Sequence, residues 1–401
     1  MKILYHHRTG SRDGQSVHID ELIAALRRLG HEVVVVAPPR TAAAKFGADA
    51  GWVDTLKRHL PKAGYELLEL AYSVVAFVRL RRACLRHRPD VLYERYNLFL
   101  LAGVWASRWY GLPLLLEVNA PLAAERSRFG GLALTALANR VERATWRAAE
   151  RVLPVTQVLA DHLRAAGVAP ERITVIANGV PADLPRRQPD GNAVRTRLGL
   201  GAGAIVLGFA GFMRDWHGLE RILHLIARTG DRHDLHLLLV GDGPARAALE
   251  HQAAELGITA RVHCVGLVER EHMPDYIAAF DIALQPAVVA YASPLKLFEY
   301  MALGRAVVAP DTPNIREVLE HDRNALLFDP DDPADLAARL EQLCGDAALR
   351  SRLGSAARDD ILRRNLTWDG NAARVAELAA AALERPQPAL PLAAGTVRPK
   401  G

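Results

Sequence analysis

Lys296 and Glu299 are the residues whose types and spacing first point to chemistry. They lie in the stretch ASPLKLFEYMALG, 292–304, and a spacing of three places both side chains on one face of a helix. A lysine in a first helical turn is disfavoured by a few tenths of a kcal/mol up to about 1 kcal/mol, unless a negative ligand is present. We therefore predict that Lys296 and the helix N-terminus hold a phosphate, and that Glu299 accepts hydrogen bonds from hydroxyl groups. The alternative is a solvated Lys/Glu pair on a surface helix.

The ends of this helix carry their own signals. Ser293 can cap it, Pro294 suits the first helical position, and Gly304 can end it in a left-handed conformation. Ser293, Pro294 and Leu295 would thus stand at the predicted anion site.

Composition restricts the class of protein. The chain has 401 residues, of which 50% are hydrophobic, so two domains are expected. Its 50 basic and 45 acidic residues are interleaved, which argues against nucleic acid as a partner and leaves acidic substrates open. Three dispersed cysteines give no disulfide or zinc pattern. Without an apolar run of about 18 residues or a signal-peptide pattern, a cytoplasmic location is expected.

Short β-rich runs alternate with helical stretches along the whole chain, which is typical of parallel α/β sheets. The strands of the first half are predicted at 2–5, 32–37, 91–94, 114–118, 151–155 and 173–177. Those of the second half are predicted at 204–211, 235–241, 261–266, 281–286, 306–310 and 325–328. A Pro-, Gly- and Arg-rich linker at 178–203 places the domain boundary near residue 185, and the tail 385–401 is predicted to be disordered.

Turns after strands of the second half are candidates for ligand contact. Their backbone could approach a ligand closely at glycines, and an arginine could clamp a phosphate. The candidates are Gly211, Arg214 and His217 in the first turn, Gly241 and Gly243 in the second, and Gly266 and Val268 in the third. Taken singly, a Gly-x-Gly turn is more often only a tight turn.

Taken in order, the motifs AGFMRDWHG, LLLVGDGP, VHCVG and SPLKLFEYMALGRAVVAP resemble those of the GT4 family of retaining GT-B glycosyltransferases. GHEVVVVAP and VIANGVP in the first half are similar to further landmarks of that family. The resemblance implies an α/β GT-B fold: two Rossmann-like, doubly wound parallel-sheet domains facing a cleft. Residues 1–184, with a returning helix at about 366–384, would bind the acceptor, and 185–365 the nucleotide-sugar donor.

The resemblance also implies roles, and the chain departs from some of them. Glu299 matches the glutamate that holds the ribose, whereas Tyr291 occupies the position of a glutamate near the donor sugar. Phe212 and His217 replace the usual arginine and lysine, so Lys296 and Arg214 are expected to supply the positive charge. The expected donor is a UDP-sugar, with GDP next, used without a bound cofactor. No DxD motif follows a strand, so a metal is not expected to be required.

The first half is expected to bind the acceptor. Its candidates are Gly14, His18, Asn119, Glu125 and Arg126, and Asn119 stands where many relatives have a histidine. A glycan, a lipid-linked molecule or a small molecule could be the acceptor. The helix predicted at 65–88 has an apolar middle and a basic end, which fits a core helix or peripheral contact with a membrane.

Two other functions remain open at this stage. One is an epimerase or phosphorylase on the same fold, and the other is a nucleotide-sugar-binding scaffold with a decayed site. The altered residues Tyr291, Phe212 and His217 keep the scaffold open as an alternative, which predicts binding without turnover.

Overall fold

The computed structural model describes residues 1–10, 14–38, 60–229 and 233–384, which form two α/β domains. The tail for which disorder is predicted, 385–401, lies outside the described residues.

The first domain is built on a parallel five-stranded sheet with the order β2-β1-β3-β4-β5. Its strands are β1 (Lys2–His6), β2 (Glu32–Val36), β3 (Val91–Arg95), β4 (Leu114–Val118) and β5 (Arg151–Pro154). Its helices are α1 (Gly14–Arg28), α2 (Lys62–His87), α3 (Ala102–Tyr110), α4 (Leu122–Phe129), α5 (Thr135–Ala148) and α6 (Gln157–Ala165). Leu4 packs on one side of the sheet, while Ile3 and Tyr5 pack on the other, so helices cover both faces.

The second domain is built on a parallel six-stranded sheet with the order β11-β10-β9-β6-β7-β8. The strands are β6 (Ile205–Ala210), β7 (Leu235–Val240), β8 (Val262–Gly266), β9 (Ile282–Leu284), β10 (Ala306–Pro310) and β11 (Leu326–Phe328). Its helices are α7 (Gly191–Arg197), α8 (Glu220–Thr229), α9 (Arg246–Glu255), α10 (Met273–Ala278), α11 (Leu295–Ala302), α12 (Pro313–Arg316), α13 (Pro333–Gly345) and α14 (Ala347–Arg363). Val206 and Ala210 face one core, and Leu207 and Phe209 the other.

One predicted strand is wrong. Residues 173–177 run beside β5, where Thr174 N donates to Val152 O at 3.0 Å and Ile176 N to Pro154 O at 2.9 Å. The only ladder pairing among the described residues of this segment is a single bridge between Val152 and Ile173. These β-rich residues therefore form an extended segment beside β5 and not a regular strand.

The last described helix, α15 (Trp368–Leu383), packs on the first domain. Trp368 is buried there beside Tyr5 and Leu22, and its backbone N–H donates to Val180 O at 2.9 Å. The chain therefore crosses back from the second domain at this point.

Helix α2 buries one side and exposes another. Its inner side includes Ala76, Leu80 and Cys84, which belong to the core. Its exposed apolar residues are Leu67, Leu68, Val74, Val75, Val78 and Leu85. No helix in the described part of the chain is long and apolar enough to cross a membrane.

Candidate active site in the cleft between the domains

Helix α11 begins one residue later than its sequence signals predict. Pro294 is the N-cap, with φ −69° and ψ 119°, and Leu295 is the first helical residue. Ser293 does not cap the helix, because its oxygens face Asn178, which donates to the Ser293 carbonyl through Nδ2 at 2.5 Å. Gly304 follows the helix with φ +63°, as its end requires.

Lys296 and Glu299 lie one turn apart on α11, and both are partly buried. Lys296 Nζ sits 3.6 Å from the centroid of the Phe209 ring. Burial lowers the pKa of Lys296 to about 7, and the charge of Glu299 offsets part of that shift. Burial likewise raises the pKa of Glu299 to about 7, against the attraction of Arg270 and Lys296. The pair is therefore not a solvated surface pair, and burial disfavours the charged form of both side chains.

The turn after β6 brings Gly211 against Lys296. Gly211 has φ +136°, and a Cβ on it would lie 3.3 Å from Lys296 Nζ. Arg214 is exposed, and its guanidinium lies 5.0 Å from the Phe212 ring centroid. Lys296 is therefore the cation that lies against Gly211, and a role for Arg214 in donor binding stays a prediction.

His217 cannot serve as a replacement cation in this structure. Its Nδ1 accepts a hydrogen bond from Arg214 N at 3.1 Å, so the ring proton is on Nε2. Burial, together with the positive charges of Lys296 and Arg214, lowers the pKa of His217 far below its usual value. The side chain is neutral and orders the turn, while Nε2–H remains a donor.

The turns after β7 and β8 pack on the turn after β6. Gly211 N donates to Val240 O at 2.8 Å, and Gly241 N donates to Gly266 O at 2.8 Å. A Cβ on Gly241 would lie 2.2 Å from Gly211 O, and one on Gly243 would lie 2.1 Å from Met213 O. This packing explains why glycines stand at 241 and 243, and donor contact by these residues stays a prediction.

Val268 lies beyond Gly266 and packs against the core of the second domain. Arg270 follows it, and Arg270 Nη2 forms an ion pair with Glu21 Oε1 of α1 at 2.5 Å. Arg270 also acts electrostatically on Glu299. This arginine is a cleft cation that the sequence pattern does not single out.

The first domain meets α11 from across the cleft. Gly14 is the first residue of α1, and a Cβ there would lie 3.5 Å from Leu295 Cδ1. The loops at the carboxyl ends of both sheets therefore face each other, which is where parallel α/β domains bind ligands.

A buried polar cluster lies on the first-domain side around Glu117, at the end of β4. Glu117 accepts from Tyr93 OH at 2.8 Å and Asn119 Nδ2 at 2.5 Å, and it pairs with Arg95 and with His18 Nε2 at 3.3 Å. Burial alone would raise the pKa of Glu117, but His18, Arg95 and these hydrogen bonds outweigh it and keep the pKa well below its usual range. His18 and Asn119 are thus brought together, as partners of one carboxylate.

The other predicted acceptor residues lie on α4. Arg126 Nη1 donates to Glu69 Oε2 at 2.7 Å, and Arg8 Nη2 lies 3.5 Å from Glu69 Oε1. Glu125 Oε2 accepts from the hydroxyl of Tyr291, in the second domain, at 2.6 Å. Glu69 is not among the predicted site residues, because only the fold brings it next to Arg126.

Comparisons with known proteins agree with this arrangement. A model described as Glycosyltransferase Family 4 matches residues 12–184, and one described as Glycosyl transferases group 1 matches 204–346. The D-inositol 3-phosphate glycosyltransferase of Thermobispora bispora is 29% identical over 408 residues, which cover 97% of this chain and 94% of the relative. The 2-deoxystreptamine glucosyltransferase of Streptomyces kanamyceticus is 28% identical over 285 residues, which cover 70% of this chain and 73% of the relative.

The crystal structure of Anabaena HepE in complex with UDP has the same fold, with a TM-score of 0.74 at 22% identity, over 95% of this chain and 100% of HepE. Two parallel-sheet domains with a polar cleft between the carboxyl ends of their strands are the GT-B fold, and the two family models identify the chain as a glycosyltransferase. The chain belongs to glycosyltransferase family 4, as its motifs indicate.

Proposed function

We propose that this glycosyltransferase moves a hexose, with retention at the anomeric carbon, from a UDP-sugar to a hydroxyl group of an anionic polyol. The proposed donor rests on one observation: Lys296 and Glu299 lie one turn apart on α11, beside the turn that contains Gly211. A diphosphate beside Lys296 would keep this lysine protonated, and Glu299 would accept from the ribose hydroxyls.

In the proposed reaction the diphosphate leaves as the acceptor hydroxyl attacks from the same face of the sugar. Charge grows on the diphosphate oxygen as the glycosidic bond breaks, so a cation already placed beside it stabilises the transition state more than the ground state. Lys296 is that cation, and the Nε2–H of the neutral His217 is a further donor. The departing phosphate oxygen would take the proton of the acceptor hydroxyl, so no separate base is needed.

UDP is proposed over GDP on the basis of known structures. HepE has been solved with UDP and with UDP-glucose, and it shares the fold at a TM-score of 0.73 or above. This likeness supports the choice of nucleotide. It does not assign the sugar, because the identity is only 22%.

The charge of the acceptor wall distinguishes two classes of acceptor. Relatives are named for D-inositol 3-phosphate and for 2-deoxystreptamine, the first an anion and the second an amine. Arg8 and Arg126 share the single carboxylate of Glu69, and Arg8 Nη1 is a buried nitrogen with no hydrogen-bond partner among the described atoms. An excess of positive charge with an unused donor favours an anionic group on the acceptor.

A transfer assay tests this proposal with labelled UDP-sugars and three acceptors: inositol 3-phosphate, inositol and 2-deoxystreptamine. Transfer to the phosphorylated polyol should exceed transfer to inositol by at least about tenfold, as expected for a charged hydrogen bond. Arg126→Gln should remove most of that preference, and Arg164→Gln, a surface control, should not. Equal use of inositol and its phosphate would refute the anionic acceptor, while UDP binding without any transfer would favour the scaffold.

Peripheral membrane contact through α2 is a second part of the proposal. The exposed apolar residues of α2 share this helix with the exposed Arg81, Arg82 and Arg86 near its C-terminal end. Such a face suits an anionic membrane, with roughly 1 kcal/mol for each arginine near the surface. Sedimentation with anionic vesicles but not neutral ones is expected, and Val74→Ser with Val75→Ser should weaken it. Equal recovery with and without vesicles would contradict membrane contact.

A further inference from the structure

Glu125 and Tyr291 join the two domains directly in the cleft. Glu125 lies on α4, after the carboxyl end of β4, and Tyr291 lies in the loop between β9 and α11. The Tyr291 hydroxyl donates to Glu125 Oε2 at 2.6 Å across 166 positions of sequence. A carboxylate of the first domain thus contacts the loop that precedes helix α11, on which Lys296 lies.

Both partners are held in place by other contacts. The Tyr291 carbonyl accepts from Thr156 Oγ1 at 3.0 Å, and its ring packs on the core of the first domain. Burial and the adjacent carboxylate raise the pKa of Tyr291, so its hydroxyl stays a donor. On the other side, the start of α4 is fixed by Glu142, which accepts from Ala123 N at 3.2 Å.

Three other carboxylates near the cleft already have protein partners. Glu117 accepts from Tyr93 and Asn119, Glu69 pairs with two arginines, and Glu21 pairs with Arg270. Glu125 accepts the Tyr291 hydroxyl at Oε2, and its second oxygen can accept as well. It is therefore suited to take a hydroxyl group from a ligand in the cleft.

We propose that Glu125 binds a hydroxyl group of the transferred sugar, and that Tyr291 is the residue that positions it. The donor sugar is preferred to the acceptor because Tyr291 belongs to the loop that immediately precedes the donor helix α11. This inference rests on the proposed function, and it assigns to the first domain a contact with the donor.

Glu125→Gln and Tyr291→Phe in the full-length protein test the inference, with Ser127→Ala, an exposed site on α4, as the control. Glu125→Gln should lower kcat/KM for the UDP-sugar by roughly ten- to a hundredfold, the range for a hydrogen bond to a charged group. Affinity for the UDP-sugar should fall, measured without acceptor, while affinity for UDP should stay within about twofold. Ser127→Ala should change neither.

A double-mutant cycle separates positioning by Tyr291 from a structural role. Tyr291→Phe should lower kcat/KM several-fold in the wild-type background and have almost no further effect once Glu125 is glutamine, because the two act as one unit. Combining Glu125→Gln with Tyr291→Glu returns a carboxylate from the opposite side of the same contact and should recover part of the lost activity.

The failures of the two proposals are distinguishable. A wild-type protein that transfers sugar, with Glu125→Gln equally active or altered only in acceptor KM, would overturn this inference and leave the proposed function intact. Absence of UDP binding by the wild type would overturn both. Additive losses in the cycle would overturn the positioning role of Tyr291.

Discussion

Replacing Lys296 by methionine removes the cation proposed to hold the donor diphosphate and keeps the shape of the side chain. Lys296 Nζ lies 3.6 Å from the Phe209 ring centroid, where a thioether also packs well. Burial already lowers the pKa of Lys296 from 10.5 to about 7. The variant should therefore be at least as stable as the wild type near neutral pH.

The pKa shift also gives the sign of the pH effect on stability. Between about pH 7 and 10.5 the unfolded wild-type chain binds a proton that folded Lys296 has released. Stability therefore rises with pH across this window in the wild type. This increment should be missing from Lys296→Met.

Donor binding should respond in the opposite sense. The contribution of a charged hydrogen bond, about 1.5–3 kcal/mol, predicts that Lys296→Met weakens UDP-glucose binding by about 10- to 150-fold. Above about pH 7 the wild-type affinity should fall, by at most tenfold per pH unit, because binding requires the protonated lysine. Below about pH 7 it should fall as Glu299 takes up a proton. Lys296→Met should lose the fall in affinity above about pH 7. Glu299→Gln should lose the fall in affinity below about pH 7.

Isothermal titration calorimetry with UDP-glucose at constant ionic strength measures both effects. UDP-glucose is preferred to UDP because a terminal phosphate itself titrates near pH 6. Lys2→Met is the matched control, since Lys2 pairs with Glu32 at the opposite end of the first sheet from the cleft. If Lys296→Met binds UDP-glucose as tightly as the wild type, and its affinity still falls above about pH 7, Lys296 does not bind the diphosphate.

Three further predictions concern the framework of the site, each measured by urea unfolding. Gly241→Ala should cost at least about 2 kcal/mol, since φ is +125° and the new Cβ would meet Gly211 O, whereas Gly201→Ala, in open space, should change stability by about 0.5 kcal/mol or less. Burial raises the pKa of Glu142 from 4.5 to about 6, so wild-type stability relative to Glu142→Gln should fall as pH rises through that interval and stay level above it. Glu317→Gln should cost about 1 kcal/mol, because this carboxylate of the second domain accepts from the first backbone N–H groups of α6.

Local patterns in the sequence account for the elements of the site. The spacing of Lys296 and Glu299 places them on one helix face whatever the rest of the chain does. The predicted strands, with the exception of 173–177, match observed strands, because β-rich runs between turn residues are a property of each segment.

Contacts between distant segments decide what the local patterns miss. Ser293 has the right type for a cap, but Asn178 draws it away from the helix. His217 has the right type for a cation, but burial makes it neutral. The pairing of Glu125 with Tyr291 depends on how the two domains meet, which no motif encodes.

Nucleotide selectivity is the most direct test of the donor site. Thermal unfolding of the wild-type protein should be compared with equal concentrations of UDP, GDP, ADP and dTDP. A ligand that binds only the folded protein stabilises it by about 2.7 kcal/mol at a hundredfold excess over Kd. We expect selective stabilisation by UDP, reduced in Lys296→Met. An equal shift with every diphosphate, a preference for another base, or no shift with any of them would contradict a UDP-sugar site in this cleft.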